Sequence, residues 1–265
     1  MSDPPEEVLA GGVANAGAVV RIGDEVRRPS NSHSRSVHGF LASLSVVGFD
    51  GAPAPLGTDR EGRERLRYIE GAVAIPPYPS WVRSDEALAS IAALLRAFHE
   101  ASERVGMIDG TWSDELADPT GGAIICHNDV CLENVVFRDG VAVALVDFDF
   151  AAPGRPIFDV AAFARMCVPI DDELSSARLG WQPADRPSRL RLVADTYGLD
   201  RQGRGELLDH LAYSMIHGGE FVRRRVELGD GNFVTMWNEM GGSERYERRQ
   251  QWWLDHSADF RTRLG

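Results

Sequence analysis

The chain of 265 residues is long enough to bury a sizeable core, as one large domain or as two lobes. Its 43% hydrophobic content excludes wholesale disorder, and its net charge of −12 disfavours nucleic acid as a partner. No apolar span is long enough for a membrane helix and the first residues are acidic, so we expect no membrane partner, no secretory signal and a cytoplasmic location. The cysteines Cys126, Cys131 and Cys167 form no C-x-x-C pattern, which predicts reduced thiols.

Residues 1–71 predict a small β-rich lobe. Apolar segments within 8–28 predict paired strands around a glycine-rich stretch, and an apolar pattern of helical period predicts a helix over 34–48. Residues 52–55 predict a turn, and 65–69 resemble a further strand.

A stretch rich in Pro and Gly after residue 68 predicts a hinge, so we expect a linker over 72–83 and a second lobe over 84–265. Ser84 is the expected N-cap of the first helix in that lobe. Further helical patterns cover 159–167, 186–197, 205–227 and 244–262.

The most informative segment lies between these helices. His127, Asp129 and Asn134 form an H-x-D-x-x-x-x-N array, and Asp147 follows after twelve intervening residues. This set suits phosphoryl transfer, in which one carboxylate accepts the proton of a hydroxyl while an amide and a second carboxylate hold Mg²⁺ on a nucleoside triphosphate.

The residues between Asn134 and Asp147 predict a β-hairpin, because an Asp139-Gly140 turn separates two short β-branched runs. A hairpin brings its outer ends together, so we expect Asn134 and Asp147 to lie side by side and share a metal ion. Asp129 would then face the γ-phosphate from the acceptor side.

Each of these residues also has a purely structural interpretation as a turn former or cap. His127 belongs to the candidate catalytic set with Asp129, although we expect it to brace the loop through hydrogen bonds. Asp149 is interpreted as a solvated loop residue. Asp159 is interpreted as a cap that opens the next helix and ties back to the loop.

Together with Asp159-Val-Ala161, this segment resembles the catalytic half of the aminoglycoside phosphotransferase family, relatives of protein and choline kinases. The resemblance implies an α+β, bilobal protein-kinase-like fold with a small β-rich N-terminal lobe and a larger, mainly helical C-terminal lobe. It also implies that Asp129 is the catalytic base, that Asn134 and Asp147 bind Mg²⁺, and that ATP or GTP donates the phosphoryl group.

The nucleotide-binding residues depart from the family pattern. The chain contains no lysine, so in place of the family's phosphate-binding lysine we assign Arg27 to the nucleotide side, with Arg28 as the alternative. No glutamate lies between Glu25 and Glu61, so the lysine's usual partner on the following helix is also missing. The other candidates for nucleotide binding come from the glycine-rich stretch and the hinge: Gly11, Gly12, Asn15, Ile69, Glu70 and Gly71.

Residues 84–265 hold nineteen arginines against thirty acids, which favours a cationic acceptor such as an aminoglycoside. An acidic surface that only confers solubility is the alternative. Because an aminated sugar favours carboxylates and flat rings, the candidate acceptor-binding residues are Glu220, Trp237, Glu239 and Asp255, with Trp252 and Trp253 as further aromatic candidates.

The sequence therefore predicts a Mg²⁺-dependent kinase that transfers the γ-phosphate of ATP or GTP to a hydroxyl of an aminoglycoside or related aminated sugar, as in antibiotic resistance. A kinase for another metabolite is an alternative. Because the lysine–glutamate pair is missing, a catalytically impaired nucleotide- or ligand-binding module is another. A metal-dependent hydrolase built on Asp129, Asp147 and Asp149 is a weaker one, since His-rich ligand spacing is absent.

Overall fold

The structure, a computed structural model, describes residues 5–9 and 17–265. The first part of these residues forms a five-stranded antiparallel sheet with strand order β1-β2-β3-β5-β4. The strands are β1 (Glu7–Val8), β2 (Val20–Ile22), β3 (Glu25–Arg28), β4 (Pro55–Thr58) and β5 (Glu64–Arg67). A single helix, α1 (Ser34–Val46), connects β3 to β4 and buries Val37, Phe40, Leu41 and Leu44 as its apolar period predicts.

Two short, two-stranded sheets follow. Their strands are β6 (Ile124–Cys126), β7 (Val135–Arg138), β8 (Val141–Leu145) and β9 (Ala152–Gly154), with β6 paired to β9 and β7 paired to β8, both antiparallel. Asp139 and Gly140 connect β7 to β8 with φ angles of 51° and 78°, the left-handed geometry of a tight hairpin turn. The predicted hairpin is therefore confirmed.

The remainder is helical. The helices are α2 (Asp85–Val105), α3 (Pro156–Cys167), α4 (Glu173–Arg178), α5 (Arg186–Tyr197), α6 (Arg201–Glu227), α7 (Gly231–Met240) and α8 (Gly242–Leu264). Ser84 caps α2 as predicted, since its hydroxyl accepts a hydrogen bond from the backbone N of Ala87 at 3.0 Å. Within the described residues, no helix combines the length and apolarity needed to cross a membrane.

One strand and two helices are among the elements that the sequence analysis did not predict. Strand β4 begins at Pro55, where the proline-rich sequence predicts only a turn. Helices α4 and α7 were not predicted, yet each has an aspartate N-cap. Asp172 accepts from the backbone N of Leu174 at 3.1 Å, and Asp230 accepts from that of Asn232 at 3.2 Å. Those caps were the available signal in the sequence.

A continuous hydrophobic core joins the sheet, through α1, to the helical part. Phe98 of α2 lies at its centre, with ring centroids 6.0 Å from Phe40 of α1 and 5.7 Å from Phe148, which directly follows Asp147. All three rings are buried. The segment around Asp147 is therefore held in position by the packing of Phe148 against Phe98.

Replacing Phe98 with alanine should lower the free energy of unfolding by about 3–5 kcal/mol, because it leaves a cavity where three segments meet. Chemical denaturation of both variants measures this change. Leu254→Ala, at a side chain that is 70% exposed, is the control and should change stability by less than about 0.5 kcal/mol. Equal stability losses in the two variants would contradict this account of the core.

Candidate active site

A cavity of about 810 Å³ opens beside the linker residues 75–78 and is walled by residues of α3, α6, α7 and α8. Asp129, Asn134 and Asp147 all line it, so the three polar side chains singled out in the sequence face one space. Much of the remaining wall is apolar or aromatic and includes Tyr78, Phe221, Phe233, Met236 and Trp237. A space of this size with a few convergent polar groups is typical of a small-molecule site.

The loop that carries Asp129 is held by hydrogen bonds on both sides. Asp159 of α3 accepts from the backbone N of His127 at 2.7 Å and from that of Asn128 at 2.9 Å. Asn128 adopts a left-handed φ of 65°, and its side-chain amide donates to the carbonyl of Phe150 at 2.9 Å. His127 is fully buried with its Nε2 at 3.0 Å from the carbonyl of Val146. His127 thus braces the loop and does not line the cavity.

The sequence analysis interpreted Asp159 as the cap of α3, and this is wrong. The N-cap position belongs to Arg155, and Asp159 lies within the first turns of the helix. The predicted tie to the loop is confirmed. Its carboxylate also meets the Nε2 of His99 at 3.0 Å, and the Nδ1 of His99 lies 2.7 Å from the hydroxyl of Tyr197. Burial acts to raise the pKa of Asp159, but these hydrogen bonds outweigh it and hold the pKa below its ordinary value.

Asp129 and Asn134 are directly linked. The side-chain amide of Asn134 donates to the Asp129 carbonyl at 2.9 Å and to the Asp129 carboxylate at 3.0 Å. Burial, together with the negative charges of Asp147 and Glu133, raises the pKa of Asp129 to about 7. A carboxylate with such a pKa is well matched to accepting a proton near neutral pH.

Asp147 lies at the opposite end of the hairpin from its turn. The backbone N of Val146 donates to the carbonyl of Asn134 at 2.9 Å, so the two ends are joined as the hairpin pattern predicts. Asp147 itself has a φ of 64°, which residues other than glycine adopt rarely. Backbone of this kind occurs in turns and clusters at functional sites.

Arg28, the last residue of β3, is 5% exposed and contacts three carboxylates. Its Nη1 donates to Asp147 at 2.9 Å, its Nε lies 3.3 Å from Glu64, and its Nη2 pairs with Asp149. Burial alone would lower the pKa of Arg28, but the surrounding carboxylates raise it above its ordinary value. The guanidinium therefore stays charged beside the candidate metal ligand.

Two interpretations of the sequence need correction here. Arg27, which we assigned to the nucleotide side, lies 3.8 Å from Glu25 and 3.9 Å from Asp59 instead, because neighbouring residues of a strand face opposite sides of the sheet. Asp149 is not a solvated loop residue, because besides Arg28 it accepts a hydrogen bond from Asn31 at 3.1 Å.

Glu64 was missed by the sequence interpretation. It pairs with Arg28 in the register of β3 and β5 and is 3% exposed. His38 of α1 lies 3.9 Å from its carboxylate. The helix α1 has no glutamate to pair with the basic residue of β3, and Glu64 of the neighbouring strand β5 provides that carboxylate instead. The available signal was a glutamate at an inward position of the alternating sequence Glu64-Arg-Leu-Arg67.

Among the other nucleotide-binding candidates, Gly11, Gly12 and Asn15 lie outside the described residues. The hinge is anchored to β7, since Ala72 and Phe137 exchange two backbone hydrogen bonds of 2.8 Å. At Gly71, φ is 154° and an added Cβ would lie 2.5 Å from Val136. Glu70 pairs with Arg21 at 2.7 Å while its carbonyl accepts from Arg138 at 2.8 Å. Ile69 is half-buried.

The acceptor-binding candidates divide into two groups. Trp237 and Glu239 of α7 line the cavity. Glu220 and Asp255 do not, because they lie on exposed faces of α6 and α8, and Asp255 instead accepts a hydrogen bond from Gln251. The two remaining candidates also lie elsewhere: Trp252 stacks on His256, and Trp253 packs on Phe260. The sequence pattern did not predict which of these side chains face the cavity.

The donor set fits a magnesium ion. Asn134 uses its amide nitrogen on Asp129, which leaves its carbonyl oxygen as the ligand atom, and Asp147 contributes a carboxylate that already faces a positive charge on Arg28. Magnesium prefers such oxygen ligands and completes its shell with water and substrate phosphates.

Comparisons with known proteins agree with this geometry. The profile of the phosphotransferase enzyme family (APH) matches residues 107–192, which contain the loop, the hairpin and α3. A protein of Rhizobium leguminosarum bv. trifolii, described as trifolitoxin immunity protein, is 32% identical over 205 residues, or 75% of this chain and 77% of that protein.

Solved structures share the fold at low identity. Choline kinase from Cryptosporidium parvum Iowa II superposes with a TM-score of 0.60 at 11% identity, over 95% of this chain and 90% of that one. The GDP complex of aminoglycoside 2′-phosphotransferase-IIIa gives a TM-score of 0.56 at 13% identity, over 95% and 94% of the chains. These similarities confirm the predicted bilobal, kinase-like α+β fold. By its relative and its matching profile, the chain belongs to the phosphotransferase enzyme family (APH).

Proposed function

We propose that the protein is a Mg²⁺-dependent kinase that transfers the γ-phosphate of ATP or GTP to a hydroxyl group of a small molecule. The observation that carries this proposal is that Asp129, Asn134 and Asp147 line one cavity. Membership of a phosphotransferase family supports the reaction type and favours it over a metal-dependent hydrolase.

Asp129 acts as the general base. Its carboxylate accepts the proton of the acceptor hydroxyl while the hydroxyl oxygen bonds to the γ-phosphorus and the bond from that phosphorus to the bridging β-phosphate oxygen breaks. The nucleoside diphosphate is the leaving group. The bond from Asn134 to the Asp129 carboxylate orients the base, and Asp159 fixes the backbone on which it sits.

Asn134 and Asp147 would hold Mg²⁺, which when bound would neutralise charge on the phosphates. Arg28 keeps Asp147 in place from within a cluster of three carboxylates. Its permanently charged guanidinium takes the place of the missing lysine by positioning this metal ligand. Glu64 positions Arg28 from the neighbouring strand.

The similarity to a phosphotransferase solved with GDP supports a nucleotide donor. The names of similar proteins support two acceptor classes, aminoglycosides and choline-like alcohols. The relative described as an immunity protein supports a protective role, in which the phosphorylated molecule is an antibiotic or toxin. A location in the cytoplasm, where nucleotide and Mg²⁺ are abundant, is part of the same proposal.

Asp129→Asn should abolish acceptor-dependent nucleotide consumption, with kcat lowered by about 10²–10⁴-fold because the general base is lost. A coupled assay with Mg²⁺, ATP or GTP and a panel of aminoglycosides, amino alcohols and hydroxy acids measures turnover, and calorimetry measures nucleotide binding. Asp139→Asn, an exposed carboxylate in the hairpin turn, is the control and should match the wild type. Undiminished turnover in Asp129→Asn would contradict the mechanism. Tight nucleotide binding without turnover on any acceptor would instead favour the catalytically impaired module.

Asp147→Asn should remove the magnesium-dependent part of nucleotide binding, since a carboxylate ligand is replaced by a neutral amide. In the wild type, nucleotide should raise the melting temperature more with Mg²⁺ than with EDTA. In Asp147→Asn the two shifts should become equal, while the exposed Asp255→Asn should behave as the wild type. An undiminished magnesium effect in Asp147→Asn would exclude this residue as a ligand.

Glu64→Gln should raise KM for the nucleotide about tenfold, which corresponds to ~1.4 kcal/mol, because Arg28 loses the carboxylate that holds it from the strand side. Acceptor KM should stay unchanged, and steady-state kinetics with each substrate varied in turn separates the two. The exposed Glu61→Gln is the matched control. A change confined to thermal stability would show that Glu64 is only structural.

A further inference from the structure

Among the described residues, three arginines of the cavity wall form no ion pair: Arg178, which is exposed, and Arg165 and Arg249, which are partly or fully buried. Arg165 of α3 and Arg249 of α8 both line the cavity, and among residues 5–9 and 17–265 neither forms an ion pair. Arg165 donates from Nε to the hydroxyl of Ser214 at 3.1 Å, and Arg249 donates from Nη2 to the carbonyl of Met215 at 2.9 Å. Arg249 is only 4% exposed, and its Nε has no hydrogen-bond partner.

Three other arginines near the cavity are neutralised. Arg28 contacts three carboxylates, Arg186 pairs with Glu173 at 2.9 Å, and Arg245 pairs with Asp171 at 2.8 Å. Burial and the nearby charge of Arg249 together lower the pKa of Arg165 to about 10. An unpaired buried charge beside a like charge destabilises the folded protein, so this arrangement is unfavourable without a bound anion.

The neighbouring helix leaves room for these side chains. Gly218 and Gly219 lie in the interior of α6, where glycine weakens a helix. A Cβ on Gly218 would lie 3.1 Å from Nη2 of Arg165, and one on Gly219 would lie 2.3 Å from the ring of Tyr246. The Arg249 guanidinium lies 4.8 Å from the centre of that same ring. Both glycines therefore make space for the arginine pair.

Both arginines line the same cavity as Asp129, and Arg165 is the nearer of the two in its electrostatic effect. Arg165 is near enough to Asp129 for its positive charge to oppose the rise in the pKa of that carboxyl. Two acids on this side are engaged, since Asp171 pairs with Arg245 and Glu133 accepts hydrogen bonds from Tyr78 at 3.0 and 3.1 Å. Glu239 also lines the cavity, but from an exposed position on α7. The cavity thus offers unpaired positive charge beside the candidate base, in contrast to the acidic chain as a whole.

We propose that the acceptor carries an anionic group, a carboxylate or a phosphate, which Arg165 and Arg249 bind while the hydroxyl to be phosphorylated faces Asp129. This inference rests on the proposed function and narrows its acceptor to a hydroxylated acid. Two guanidinium groups that converge on one space match the oxygens of such an anion. An acceptor that bears only positive charge would place like charge against the pair.

The test compares matched probes in a thermal-shift and calorimetric experiment on the full chain with Mg²⁺ and ADP present, so that the nucleotide site is saturated. The probes are gluconate against sorbitol, glycerol 3-phosphate against glycerol, inorganic phosphate alone, and kanamycin. At millimolar concentrations, at least one anionic probe should raise the melting temperature, and its neutral counterpart should not. Gluconate and glycerol 3-phosphate distinguish the carboxylate from the phosphate.

Arg165→Gln and Arg249→Gln should each weaken binding of that anion about tenfold or more, as expected for the loss of a charge-assisted hydrogen bond. Arg165→Lys, which keeps the charge, should retain part of the affinity. Arg223→Gln, on an exposed face of α6 beside Glu227, is the control. Without probes, the melting temperature of neither Gln variant should be lower than that of the wild type, because the repulsion between Arg165 and Arg249 is removed. A purely structural role would lower the melting temperature in both.

The proposal is overturned if no anionic probe binds, if sorbitol, glycerol or kanamycin binds as tightly as the anions, or if the Gln variants bind anions like the wild type. These outcomes are separate from failure of the proposed function. Binding of Mg²⁺ and ADP, measured in the same titrations without an acceptor probe, reports on the nucleotide site alone.

Discussion

The buried carboxylate of Asp159 is the constraint on which the site depends. Its oxygens accept from two consecutive backbone N–H groups of the loop that carries Asp129 and from His99, so it joins α3, α2 and this loop at one point. The left-handed backbone of Asn128 is stabilised by those bonds. Asp129 therefore projects into the cavity from a backbone that cannot relax on its own, which is the preorganisation that an active site requires.

A second constraint is electrostatic. Arg28 connects the sheet to the hairpin through Asp147 and Asp149, while Glu64 holds it from its own sheet. A buried cation surrounded by carboxylates is sensitive to any further charge, because a low-dielectric environment strengthens each interaction. Because Asp147 also lines the cavity, the same ion pairs that join the sheet to the hairpin hold one of the polar groups of the site.

Local patterns made much of this architecture predictable. The Asp139-Gly140 turn, the Ser84 cap and the apolar period of α1 each depend on neighbouring residues, and the structure agrees with all three. Pairings between distant segments were not predictable. Arg28 meets Glu64 only because β3 and β5 are adjacent, and Arg165 and Arg249 come together only because α3 and α8 both pack against α6. No spacing in the sequence encodes such contacts.

The guanidinium of Arg28 has a consequence for how such a protein can be detected. Acyl-phosphate analogues of nucleotides label binding sites by transferring an acyl group to a nearby amine, and this chain has no lysine side chain to receive it. Arginine remains protonated at any ordinary pH and is a poor acyl acceptor. Amine-directed chemical surveys would therefore overlook a nucleotide bound in this cleft.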